Sequence, residues 1–188
     1  MSNETLVGQL REMYGRVAYT HKTHEKMADR YIARYKRIKT AEILISALAA
    51  SSVVIAVFGD TKVATMIGAI LSAILLGLLL YFKEASLGEQ AQKHTVVASR
   101  LWGSREQLLS ILVDLQRSGD VTKATEKRDA INNELEEIYS VAPRTDSKAY
   151  AAAQRALKGQ EELFFSDSEL DHLLSKQLRP GAGGDRIS

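Results

Sequence analysis

An apolar stretch from Ile43 to Phe82, interrupted only by Gly59-Asp60-Thr61-Lys62, leaves this chain few folds to choose from. The second arm, Val63 to Phe82, has about twenty residues and no charge. At about 1.5 Å rise per residue it spans a hydrocarbon core of roughly 30 Å. The first arm is slightly short and reaches full length with Ala41 and Glu42 at the interface, where a carboxylate is tolerable. Lipid offers no water to unpaired backbone groups. Two arms joined by so tight a turn therefore form an antiparallel helical hairpin, with spans at about 41–59 and 63–82. The competing reading is a hairpin buried in a soluble core; uncharged runs this long favour the membrane.

Charge is segregated around this block. About a quarter of the 188 residues are charged, nearly all of them outside it. Residues 1–42 carry nine Lys/Arg and five Asp/Glu, net +4; residues 121–188 carry ten and twelve, net −2. Arg30, Arg34, Lys36, Arg37 and Lys39 precede the first arm, Lys83 follows the second, and the turn offers Lys62. Flanking cations stay on the cytoplasmic side, so both termini are expected there and the turn outside. No short basic start precedes an apolar run, so no cleavable signal peptide is expected. The absence of cysteine excludes disulfides and thiolate metal sites and fits a reducing compartment.

The polar parts read as helices throughout, and no stretch alternates as a strand, which makes the expected class all-α. Leu6, Leu10, Met13, Val17, Met27, Tyr31 and Ile38 recur at helical spacing, predicting a long helix over residues 6–39 that runs on into the first span. After the second span, Val97, Leu101, Leu108, Leu112 and Leu115 form a stripe with Trp102 beside it, on a helix continuing that span. The stripe serves either self-association or an internal bundle with residues 121–140. Ser118-Gly119-Asp120 supplies a left-handed terminator and the next N-cap. Ile131, Leu135 and Ile138 share one face of the helix that follows, which Ala142-Pro143 ends. Asp146 or Ser147 caps a short helix over 148–158, where Ala149, Ala152, Ala153 and Ala156 permit close packing and Gly159 terminates. Ser166-x-x-Glu169 is a capping box for a last helix with Leu170, Leu173, Leu174 and Leu178. Residues 179–188 read as a disordered tail.

Two sets of residues are candidates for function. Thr65, Gly68, Ser72, Leu75 and Leu79 share one face of the second span, hydroxylated toward the outer end and apolar toward the inner end. Several copies around an axis would make of this a wet path leading to a leucine constriction, which gates by dewetting. Ordinary helix packing through small residues is the alternative, and it is preferred for Ala49, Ser52, Ala56 and Gly59. Lys22, Lys26 and Arg30 form a row at spacing four, with Lys22 about 30 Å of helix from Glu42. That is far for a lipid headgroup, and an anionic ligand or partner is one reading. The other is a solvated face, with Lys22–Glu25 and Lys26–Asp29 paired at i, i+3.

Catalytic patterns are absent: there is no phosphate-cradling glycine loop and no G-x-S-x-G. Within the spans only Ser and Thr could act, so an intramembrane enzyme is set aside and no catalytic residue or cofactor is expected. His21 and His24 stand at i, i+3 beside Glu25 but lack a third ligand; they read as surface residues and no metal site is expected. His94 and His172 are isolated.

The organisation resembles the SLATT family, the SMODS/SLOG-associating two-transmembrane effectors of bacterial conflict systems. The likeness covers roughly residues 5 to 178. It rests on the order of elements, on Ile138-Tyr139-Ser140-Val141-Ala142-Pro143-Arg144-Thr145-Asp146 before an Ala-containing helix, and on the stretch with Tyr14, Tyr19 and His21. The resemblance implies a non-enzymatic, homo-oligomeric effector of the bacterial inner membrane. Such an effector forms a channel or pore in answer to a nucleotide-type signal, with a nucleotidyltransferase or other sensor as partner and a nucleotide or oligonucleotide as ligand. The domains would be a cytoplasmic helix (1–40), the transmembrane hairpin (41–82), a cytoplasmic helical domain (83–178) and the tail. A membrane-anchored scaffold or sensor subunit that conducts nothing is the second reading, favoured by the lack of charge within the spans.

Overall fold

The computed structural model describes residues 3–59, 62–159, 162–163 and 165–173, which form six helices and no strand. They are α1 (Asn3–Gly59), α2 (Lys62–Ala85), α3 (Leu87–Ser118), α4 (Val121–Val141), α5 (Ser147–Gly159) and α6 (Asp167–Leu173). α1 is one unbroken helix of 57 residues, about 86 Å long. No proline interrupts it, so the polar helix runs directly into the first apolar arm.

α2 and α3 return along α1 but are not one straight helix. At Ser86 φ is +43°, a left-handed conformation that an L side chain adopts only at a cost. The helix restarts at Leu87, with the Gln90 N–H donating to the Ser86 carbonyl at 3.0 Å. The expected continuous helix is thus jointed at one residue. No proline or glycine marks the joint. Its hydroxyl donates to the Lys83 carbonyl at 3.4 Å, the local competition by which serine loosens helices.

The arms meet through Ala49 and Ser52 of α1 and Ala64 and Gly68 of α2, all buried. A Cβ on Gly68 would lie 2.7 Å from the Ser52 Oγ, so the approach depends on glycine. The rest of the hairpin is uncovered: 11% of the most apolar stretch of α1 and 6% of that of α2 are buried within the chain. A hairpin at the centre of a soluble core would show the reverse.

Beyond the hairpin the helices form a bundle. Leu6, Leu10, Met13 and Val17 of α1 pack with Val97, Leu101, Leu108, Ile111 and Leu115 of α3 and with Ala124, Ile131, Leu135 and Ile138 of α4. The α3 stripe is therefore consumed inside one chain, which is the internal-bundle use. Ile111, outside the expected stripe, is buried, while Leu112 is only partly so. The caps fall where the sequence places them. Gly119 has φ +65° and donates its N–H to the Leu115 carbonyl; Asp120 accepts from the Lys123 N–H; Ala142 is extended before Pro143. Asp146, rather than Ser147, caps α5 by accepting from the Ala149 N–H at 2.8 Å. Ala149, Ala153 and Ala156 are fully buried, and α5 packs on α1. Ser166 and Glu169 make the reciprocal box at α6. Asp60, Thr61, Leu174, Leu178 and the tail lie outside the described residues.

Candidate functional site

The row of cations on α1 meets the carboxylates of the segments around α5. Arg30 donates to Asp146 at 2.6 Å just before α5. Beyond the end of α5, Glu162 turns back and contacts Lys22, while Lys26 donates to its Oε1 at 3.0 Å. Lys22 also donates to Glu25 at 2.7 Å, as the solvated-face reading predicts, whereas Lys26 takes Glu162 in place of Asp29. The three cations are not equivalent. Arg30 and Asp146 are about half exposed, and a pair of that kind contributes at most about 1 kcal/mol. Lys22 is buried, with 8% of its surface exposed. Burial opposes its charge, but the Glu162 and Glu25 carboxylates outweigh burial and raise its pKa above the ordinary lysine value. The two lysines in turn hold the Glu162 carboxyl below its usual range.

These residues border a cleft of about 680 Å³ between α1 and α3. Its floor and walls include Ala28, Ile32, Thr95, Ala98 and Trp102; Glu162 and Leu163 close one side. Trp102 is half exposed and fixed from behind. The buried Arg105 guanidinium lies 4.7 Å from its ring centroid and donates to the Tyr14 hydroxyl at 3.1 Å. On its other flank the His21 ring centroid is 5.5 Å away.

Under the cleft is a histidine cluster that corrects the reading of His21, His24 and His94 as surface or isolated residues. All three are buried. His21 Nδ1 is 2.9 Å from the Ala98 carbonyl, and the Nδ1 atoms of His24 and His94 are 2.8 Å apart. The Tyr31 ring stacks on His94 at 5.6 Å. Burial, with the neighbouring His94 and His21, lowers the His24 pKa to about 4; burial also lowers that of His94, against the opposing pull of Asp146. One N–H shared between two Nδ1 atoms satisfies a neutral pair. Among the described residues no three His, Asp or Glu are grouped to hold a metal ion.

The face proposed for the pore is divided by the hairpin. Gly68 turns into the contact with Ser52, and Leu75 is half-buried toward α1. Thr65, Ser72 and Leu79 are exposed on the outer side. Where the apolar arms meet the bundle, rings and cations gather. Tyr35 packs on Phe82 with centroids 5.1 Å apart, and Arg34 donates to the Tyr81 hydroxyl. Lys39 lies 4.6 Å over the Phe82 ring and donates to Glu42 at 2.9 Å. Aromatic rings with snorkelling cations are the side chains of a membrane–water boundary, and the Glu42 carboxylate is paired at that level.

Sequence reasoning missed Glu162, Asp146, His94, Trp102 and Arg105 as parts of this region. Each is distant along the chain from its partner on α1, by 70 residues for His94 and His24 and by 136 for Glu162 and Lys26. Only the helical phase of His94, Val97 and Leu101 hints that His94 faces inward.

A hairpin whose apolar outer surface nothing in the chain covers, edged by rings and cations and continued by a polar bundle, defines a two-span membrane protein. Residues 6–169 match the SMODS and SLOG-associating 2TM effector domain family 4, and the chain belongs to that family. No curated protein and no solved structure matches it.

Proposed function

We propose that the chain is a non-enzymatic membrane effector of a bacterial, anti-phage conflict system. In this reading it forms a homo-oligomeric channel or pore in the inner membrane in answer to a nucleotide-type signal or a partner enzyme. The family's description as a two-transmembrane effector that associates with SMODS and SLOG supports the role. The observation that carries the oligomer is the exposure of Thr65, Ser72 and Leu79 on the outer face of α2. Two spans cannot enclose a water path, so copies must surround one, and a face left free by the hairpin is available for that. Both termini are placed in the cytoplasm, with the bundle as the receiving part and Lys22, Lys26 and Arg30 at its receiving surface. A nucleotidyltransferase or SLOG-type sensor is the expected partner, and a nucleotide or oligonucleotide the expected ligand.

A second reading, a membrane-anchored scaffold that conducts nothing, draws on one observation. Gly68, the closest-packed point of the candidate lining, is used within the hairpin. Conductance recording on purified protein in a planar bilayer separates the two. Discrete conductance that depends on added nucleotide supports the effector pore; a silent, well-inserted protein supports the tether.

A further inference from the structure

The residues that close the cleft do so in an uneconomical way. Leu163 has φ +79°, a left-handed conformation that a branched side chain resists, so the strap after α5 is strained where it crosses the cleft. The Glu162 N–H donates to the Ala156 carbonyl at 3.0 Å, which turns the strap back, and its carboxylate lands on the two lysines. We propose that Lys22 and Lys26 are the binding site of a phosphate-bearing small molecule, that Glu162 occupies this site as a built-in surrogate anion, and that ligand phosphate displaces it and releases the strap. This deepens the signal-responsive reading above and rests on it.

Three features fit a phosphate in place of the carboxylate. Lys22 is buried, and a buried ammonium needs an anion against it; leaving it unpaired is strongly unfavourable, so exchange of one anion for another is the accessible change. Glu25 and Asp29 also border the cleft. With those carboxylates present a phosphate cannot simply add to the site and must replace Glu162. Finally, the cleft of about 680 Å³ is far larger than a phosphate, within the range of small-molecule sites. Its wall carries the Trp102 indole, held by Arg105 and flanked by His21, a surface on which a flat ring stacks. A phosphate joined to a ring system, as in a nucleotide, uses both ends of the space.

Trp102 is the only tryptophan in the chain and lines the cleft, so its emission reports occupancy directly. Full-length protein in detergent micelles is titrated with adenosine monophosphate and, separately, with inorganic pyrophosphate. The comparison covers the unmodified chain, Glu162→Gln, and Lys22→Gln with Lys26→Gln. The expected result is saturable change in Trp102 emission, at least tenfold tighter in Glu162→Gln and lost in the double lysine variant. Glu162→Gln keeps both lysines, so it remains informative if the lysine variant fails to fold. Equal affinity in Glu162→Gln and the unmodified chain overturns the proposal, as does the absence of saturable binding of either probe to both. Binding in micelles involves no conductance. A silent bilayer with an intact Glu162 effect sinks the pore alone, and a conducting protein without that effect sinks this proposal alone.

Discussion

His24 on α1 and His94 on α3 face each other through their Nδ1 atoms at 2.8 Å, within a bundle that exposes 3% of one and 1% of the other. The pair is satisfied when it holds one N–H between the two atoms. A second proton puts a charge into a buried space whose other polar neighbours are His21, Tyr31 and, more remotely, Asp146.

The bundle is therefore expected to be acid-sensitive. The folded-state pKa of His24 is lowered from 6.5 to about 4, so below 6.5 the unfolded chain takes up protons that the folded chain refuses. The stability this contributes is complete above about pH 6.5 and is lost as pH falls toward 4, at up to about 1.4 kcal/mol per pH unit for each histidine. Thermal melts followed by helical circular dichroism between pH 7.5 and 4 measure it. Replacing both partners, His24→Leu with His94→Leu, removes buried acceptors together and flattens the slope; an unchanged slope assigns the effect elsewhere.

Neighbouring leucines on α3 separate the internal bundle from any outer surface. Leu108 is fully buried, and Leu108→Ala is expected to cost about 2–5 kcal/mol. Leu109 is 42% exposed, and Leu109→Ala is expected to stay within about 0.5 kcal/mol. Similar losses for the two in denaturant melts would mean that Leu109 is covered by another copy.

Gly68 is a test of the hairpin. Gly68→Val forces a Cβ into the 2.7 Å approach to Ser52 Oγ, and overpacking of this kind costs about 1–3 kcal/mol. Ser52→Ala in the same chain removes the clashing atom and should restore part of the loss. Heat stability of the detergent-solubilised protein reads both; no rescue would place the strain against Val53 instead.

For the pore, Leu79 is the position to change. It is 40% exposed on the outer face of α2, so Leu79→Ser leaves the hairpin contact intact while wetting the proposed constriction. The expected outcome is toxicity on expression and conductance without a stimulus. Normal growth and silent bilayers with a well-inserted Leu79→Ser protein would remove Leu79 from the gate.

Much of the architecture was legible because it depends on local chemistry. The uncharged arms announce the hairpin, Gly119 and Asp120 mark a helix end and the next beginning, and Ala142-Pro143 breaks α4 because the residue before proline avoids the helical region. The heptad-like stripes of α1, α3 and α4 found one another as amphipathic faces must. The joint at Ser86 was illegible because a serine inside a helix only competes weakly with the backbone, and whether it wins depends on packing. The cleft was half legible. Lys22, Lys26 and Arg30 could be placed on one face, but what they meet is set by how α5 folds back across α1. That return brings Glu162 and Asp146 from more than a hundred residues away. Spacing in the sequence carries no such information.

The contrast between α1, continuous over 57 residues, and its antiparallel companion, articulated at Ser86, has a mechanical meaning. The two struts run side by side but differ in stiffness. A torque applied to the bundle end of α1 reaches the far end of the apolar arm undiminished, because nothing along the rod absorbs it. The same torque on α3 is taken up at the articulation and need not reach α2. Motion begun near Lys22 therefore arrives between the arms as a shear of one helix against a stationary neighbour, and the Ser52–Gly68 contact is where that shear is felt first.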